Sequence, residues 1–169
     1  MFKLPEDSDP DQSAISAEPV ACKVIISVPE QSLRLMRGDS VEAEYPVSTS
    51  RFGLGSEPGS YKTPLGRFRV FEKFGDGAPL GAVFKERQQT GEVVGQGGDE
   101  DRILTRILWL EGCDPDNANT RDRYIYLHGT NQEIAIGTPA SHGCVRLRSQ
   151  DLVDLYDRVP PGTSVEIVG

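Results

Sequence analysis

Only one stretch of this chain, residues 149–159, spaces its apolar side chains as a helix does, which restricts the fold to a sheet-based domain with a single helix packed on it. Leu152, Val153, Leu155, Tyr156 and Val159 make one stripe, and Ser149 stands where an N-cap belongs. Asp151 in the first turn complements the helix dipole, and Pro160-Pro161-Gly162 stops the run. Elsewhere short apolar or alternating segments lie between Gly, Pro, Asn and Asp, the pattern of strands and turns. Residues 21–28, 32–36 and 41–48 read as an antiparallel meander with turns at Pro29 and at Arg37-Gly38-Asp39. A turn at Thr63-Pro64-Leu65-Gly66 leads into a strand at 67–74, where Phe68, Val70 and Glu72 alternate against Arg69, Phe71 and Lys73. Further strands are predicted at 103–110, at 124–127, which delivers His128 at its end, and at 163–168.

With 169 residues the chain suffices for one domain with a real core and is short for two. Residues 1–19 lack periodicity and are rich in Asp, Ser, Pro and Ala, so they read as a disordered or loosely attached tail, leaving 20–169 as the folded domain. Inside it, residues 49–61 are rich in glycine, serine and threonine and are expected to form a surface loop rather than core. The glycine-rich polar stretch 85–101 reads as a mobile flap or, equally well, as an ordinary variable surface loop.

Charge narrows the choice of partners. A formal net charge of −8 opposes the phosphate backbone, so nucleic acid is not an expected partner. No run approaches the roughly 20 apolar residues of a membrane span, so no stable membrane insertion is expected. Arg121, Arg123, Arg146 and Arg148 flank the histidines and Cys144, where a carboxylate-bearing ligand would suit them; Arg121, Arg123 and Arg148 read better as a solvated rim. The opening residues Met1-Phe2-Lys3-Leu4-Pro5 lead into acidic and small polar residues without an apolar h-region, so they do not read as a secretory signal. Cys22, Cys113 and Cys144 cannot all pair and show no CxxC spacing, which argues against a disulfide scaffold. Cys22, in an apolar strand-like segment, reads as a small buried hydrophobe, and Cys113 is given no role.

Chemistry concentrates where the rare residues do. The chain has two histidines and three cysteines, and both histidines and one cysteine fall within His128-Gly129-Thr130 and Ser141-His142-Gly143-Cys144-Val145-Arg146-Leu147. A catalytic cysteine needs a partner that takes its proton and donors for the charge that develops on the attacked carbonyl. Gly143 permits close approach of a substrate, and amides near Gly143 and Cys144 are candidate donors to an oxyanion. Either histidine can be the base: His142 shares a face with Cys144 if residues 142–144 are extended, and His128 can arrive from a separate strand end. Two His and one Cys also match the ligand count of a catalytic zinc site, but no carboxylate stands at ligand spacing and no HExxH or CxxC occurs, so no metal is expected. A serine nucleophile is weaker still, since no Gly-x-Ser-x-Gly elbow is present.

These two segments resemble the signature of the L,D-transpeptidase catalytic domain, the YkuD family. The resemblance extends to Tyr45-Pro46-Val47-Ser48-Thr49-Ser50 and to Tyr61-Lys62-Thr63-Pro64-Leu65-Gly66-Arg67-Phe68, and covers roughly residues 22–168. It implies a mainly β, sandwich-like catalytic domain with one C-terminal helix and a flap over the cleft. Cys144 would be the nucleophile and His128 the base, with the Gly129 carbonyl orienting the imidazole. His142 would line the site near the substrate or oxyanion, Ser141 and Gly143 would shape the turn, and Arg146 would contact substrate or brace the loop. One form of the family pattern has Asn where this chain has Arg146. The implied activity, without cofactor, is acyl transfer on peptidoglycan stem peptides through a thioester, joining two third-position residues. An L,D-carboxypeptidase or hydrolase using the same thiol is the alternative, and a non-catalytic peptidoglycan-binding module is the rival of a different class. The substrate would place the chain in the periplasm or cell envelope.

Overall fold

A computed structural model describes residues 21–169; the tail read at 1–19 lies outside the described residues. Among the described residues ten strands join in one hydrogen-bonded sheet: β1 (Cys22–Ser27), β2 (Ser32–Arg37), β3 (Ser40–Pro46), β4 (Gly66–Phe74), β5 (Ala82–Lys85), β6 (Gln88–Val93), β7 (Ile103–Gly112), β8 (Tyr126–Gly129), β9 (Val145–Leu147) and β10 (Ser164–Val168). The expected meander is present, since β1 pairs antiparallel with β2 and β2 with β3. The last strand returns parallel to β1, placing Val24 beside Val165 and Ile26 beside Ile167. The sheet branches at β7, which pairs with β4, β5 and β8, and β8 pairs in parallel with β9.

A main core joins most of these strands. Val24 and Ile26 of β1, Leu33 and Leu35 of β2, Phe68 and Val70 of β4, Leu108 and Leu110 of β7, Leu127, Val145 and Leu147 are all buried in it. Each fully buried aliphatic side chain contributes about 1.5–3 kcal/mol, so this shared face is what fixes strand register. The one α-helix among the described residues, α1 (Ser149–Arg158), adds Leu152, Leu155 and Tyr156 to that core, with Val159 just beyond its end, at positions i, i+3, i+4 and i+7; Val153 is only half-buried. The mainly β fold with one helix is therefore as the sequence indicates.

Three local expectations are corrected. Ser149 is not the N-cap: Arg148 holds that position without a side-chain bond, and the Glu133 carboxylate caps the helix by accepting the Ser149 N–H at 2.9 Å. The strand expected at 124–127 runs two residues later, so His128 lies within β8 rather than past its end. In β4 a bulge falls between Val70 and Glu72, so Glu72 does not continue the buried face of Phe68 and Val70. The 85–101 stretch, read as a mobile flap or a surface loop, contains a strand. Its first half is β6, hairpin-paired to β5 through Glu86 and Arg87, both at positive φ.

Period-two alternation then sorts side chains onto two faces near the hairpin. Leu108 and Leu110 of β7 and Leu127 of β8 enter the main core. Ile107 and Tyr126 point the other way into a smaller cluster with Ala78, Ala82 and Phe84, against which Trp109 and Cys144 pack. His128 shares the alternation of Tyr126 and Arg146 that of Cys144, so β8 and β9 carry the chemistry-bearing residues away from the main core.

Candidate active site

The thiol and both imidazoles meet on a single cavity of about 390 Å³ lined by Asp101, Ile103, His128, Ser141, His142 and Cys144. Register explains the meeting: the parallel pairing of Leu127 with Val145 and His128 with Arg146 sets Cys144 one step before β9, opposite Tyr126. The backbone N–H of Tyr126 donates to Cys144 Sγ at 3.3 Å, and the thiol hydrogen points to the Tyr124 carbonyl at 3.4 Å. Burial pushes the Cys144 thiol up to about 11, outweighing the Tyr126 N–H and the nearby Arg123 and Arg146 charges, which act in the other direction. At rest the residue is a neutral thiol.

His128 is buried, and its Nδ1 lies 2.6 Å from the Gly129 carbonyl oxygen. A carbonyl only accepts, so Nδ1 carries the hydrogen and Nε2 is left as the basic nitrogen. Burial lowers the pKa of His128, with the Gly129 bond and Asp101 opposing that shift, so the ring is a neutral acceptor at neutral pH. Gly129 is required where it stands: a Cβ there would lie 2.6 Å from Leu104 O and 3.0 Å from Ser149 Oγ.

His142 sits differently. Its side chain is 48% exposed, and its ring leans on Phe52 and Tyr61 at centroid distances of 5.7 and 5.8 Å. The segment 142–144 is not extended, because Gly143 has φ +123; a bend, not strand alternation, brings His142 and Cys144 to the same cavity. Ser141 shapes this bend, its Oγ accepting the Gly143 N–H at 3.2 Å and donating to the Cys144 carbonyl at 2.6 Å.

Arg146 is 0% exposed and does not line the cavity. Its guanidinium reaches Asp101 Oδ1 at 3.0 Å, Gln132 Oε1 at 3.2 Å and Ser48 Oγ at 3.3 Å. Of its two expected roles, this geometry is that of the brace. Among the described residues no three His, Cys, Asp or Glu side chains are grouped as metal ligands would be.

Three features escaped the sequence. Asp101 lines the cavity, 4.0 Å from His142 Nδ1 and bonded by Thr130 Oγ1 at 3.3 Å, and its only sequence signal is a carboxylate just before a strand. Arg123 is not a solvated rim residue: it is partly buried and donates to Gly55 O, Ser60 Oγ and Lys62 O, pinning the 49–61 loop. That loop is not all surface, because Thr49 and Ser50 are buried and Ser50 bridges to Ser141. Cys22 also differs from expectation in being only partly buried.

Residues 23–167 match the family described as the L,D-transpeptidase catalytic domain. YqjB of Bacillus subtilis, which carries the same activity in its name, is 38% identical over 145 residues, covering 85% of this chain and 69% of that protein. YbiS of Escherichia coli K12 is 48% identical over 46 residues, 27% of this chain and 15% of that protein, so the match spans a small part of its length. Among solved structures, the L,D-transpeptidase of Xylanimonas cellulosilytica superposes with a TM-score of 0.58 at 20% identity, covering 90% of this chain and 62% of that one. L,D-transpeptidase 3 of Mycobacterium tuberculosis, in complex with a faropenem-derived adduct, gives 0.59 at 18%, covering 88% and 60%. At these identities the structures speak for the fold.

Proposed function

This chain belongs to the family of L,D-transpeptidase catalytic domains, and from that premise we propose that it is a cysteine-dependent acyltransferase acting on peptidoglycan stem peptides. The observation that carries the reading is the convergence of Cys144 and His128 on one cavity, with the Gly129 carbonyl turning the basic nitrogen of the imidazole free. A binding module has no use for a thiol beside an oriented base.

The steps follow from what each group holds. His128 Nε2 takes the Cys144 proton as Sγ attacks the carbonyl of the L-configured centre at the third stem position. The carbon–nitrogen bond to the terminal D-alanine breaks, and the imidazolium returns the proton to the departing amine. A thioester on Cys144 remains, which the amine of a second stem resolves into a cross-link between third-position residues, releasing the thiol. This chemistry needs no cofactor, and its substrate lies outside the cytoplasmic membrane, which assigns the chain to the cell envelope.

Intact-mass spectrometry after incubation with imipenem tests the nucleophile: one covalent adduct is expected, mapped by digestion to Cys144. An adduct-free protein, or one modified at Cys22 or Cys113, overturns the assignment. Muropeptide digests then separate acceptors, a cross-linked dimer supporting transfer and tripeptide alone supporting hydrolysis.

The pH dependence has a definite sign. Because the His128 pKa is lowered by burial, the base stays neutral through the neutral range, and acylation falls only below the ordinary imidazole value of about 6.5. On the alkaline side no plateau from a standing thiolate is expected until the thiol near 11 ionises. A pH–rate profile of single-turnover acylation checks both, and an acid limb centred above the ordinary imidazole value contradicts the burial argument.

A further inference from the structure

The Thr63-Pro64-Leu65-Gly66 turn supplies neither thiol nor base, yet its first residue reaches the turn that carries the nucleophile. Thr63 is fully buried. Its Oγ1 donates to the Gly143 carbonyl at 2.9 Å and accepts the Ser50 backbone N–H at 3.0 Å. A hydroxyl has one hydrogen, so these two bonds fix its orientation.

The Gly143 carbonyl and the Cys144 N–H belong to the same peptide unit, and the described chain contains no cis peptide bond. In a trans unit the two groups point in opposite directions. With the carbonyl held by Thr63, the Cys144 N–H points away from that hydroxyl, in a turn whose Ser141, His142 and Cys144 line the cavity. The neighbouring Gly143 N–H is engaged by Ser141 Oγ, which leaves the Cys144 amide as the candidate donor of the two in this turn. Gly143 itself, at φ +123 with the Tyr61 and Lys62 carbonyls close behind, allows the peptide to take this attitude.

We propose that Thr63 is a positioning residue for acyl transfer: by holding the Gly143 carbonyl it aims the Cys144 amide at the oxygen that becomes anionic when Sγ attacks. The inference rests on the acyl-transfer reading above. Its consequence is a selective defect, because oxyanion stabilisation matters only where a carbonyl is attacked.

The test compares two reactions of Cys144 in the parent chain, Thr63→Val and Thr63→Ser. With imipenem, the Sγ–C bond forms, the lactam C–N bond opens, and the thiol proton passes through His128 to the lactam nitrogen. With iodoacetamide, the Sγ–C bond forms as iodide leaves, the thiol proton passes through His128 to solvent, and no oxyanion develops. Thr63→Val is expected to slow imipenem acylation by about 10- to 100-fold, less than outright loss of an oxyanion donor, while its alkylation rate stays at the parent value. Thr63→Ser, which keeps the hydroxyl, is expected to restore acylation. Equal acylation by Thr63→Val and parent overturns the proposal, as does a parallel fall in both rates, which would mark Thr63 as a purely structural residue. A parent chain that is alkylated but never acylated removes the acyl-transfer reading itself, and this inference with it.

Discussion

A His128→Ala variant is expected to lose acylation of Cys144 by about a hundred- to ten-thousand-fold, the range a positioned general base supplies. The resting thiol explains why the loss is so large. With its pKa pushed up to about 11, Cys144 is thiolate to roughly one part in ten thousand at neutral pH, so attack depends on a base removing the proton as the bond forms. His128 alone is prepared for this, being buried, neutral, and held by Gly129 with one nitrogen free. His142→Ala is expected to slow the reaction less. That ring is half-exposed, leans on Phe52 and Tyr61, and lies beyond hydrogen-bond reach of Asp101. Single-turnover acylation followed by intact-mass spectrometry ranks the two variants, and a larger loss for His142→Ala would reverse the assignment of the base.

What the chain revealed in advance follows from burial. β1, β2, β4 and β10 are half-buried strands whose alternating apolar residues advertise their faces, and α1 places its stripe at helical spacing. The hairpin strand β6 was illegible because all six of its residues are exposed, leaving no alternation to read, and because its turn uses Glu86 and Arg87 at positive φ where a glycine or asparagine would have signalled it. Strand β9 is only three residues long and wholly buried, too short for a period.

At the site, the cysteine and histidines were legible from rarity and motif, but their supporting contacts were not. Thr63 meets Gly143 across 80 positions and Ser48 meets Arg146 across 98. Such pairs are set by strand register and by the two bridges from Ser48 and Ser50 into the motif, quantities no local window contains. Arg146 shows the consequence most sharply. Two residues from Cys144 it invites a substrate-facing role, yet Ser48, Asp101 and Gln132 enclose its guanidinium.

That burial makes Arg146→Met the substitution with the largest expected cost to the fold. The guanidinium is completely enclosed and connects Ser48, Gln132 and Asp101, which come from three separate segments. Its charge is compensated by Asp101, whose carboxylate is a quarter exposed, so removing the arginine strands a partly buried anion rather than a fully buried one. Breaking a buried pair costs about 3–5 kcal/mol, and the residual exposure of Asp101 places the expected loss near the lower end, roughly 3 kcal/mol. For a domain of this size that corresponds to a fall in Tm of about 6–12 °C by thermal unfolding. Arg146→Lys is not expected to rescue, because a single ammonium cannot reproduce the planar fork that reaches three partners at once. The pairing predicts a further signature: Asp101→Asn with Arg146→Met should cost less than the sum of the two single changes, since the second substitution removes the charge that the first leaves unpaired. Strict additivity, or an Arg146→Met chain that melts with the parent, would show that the buried arginine is held by packing alone and that Asp101 reaches the cavity without its help.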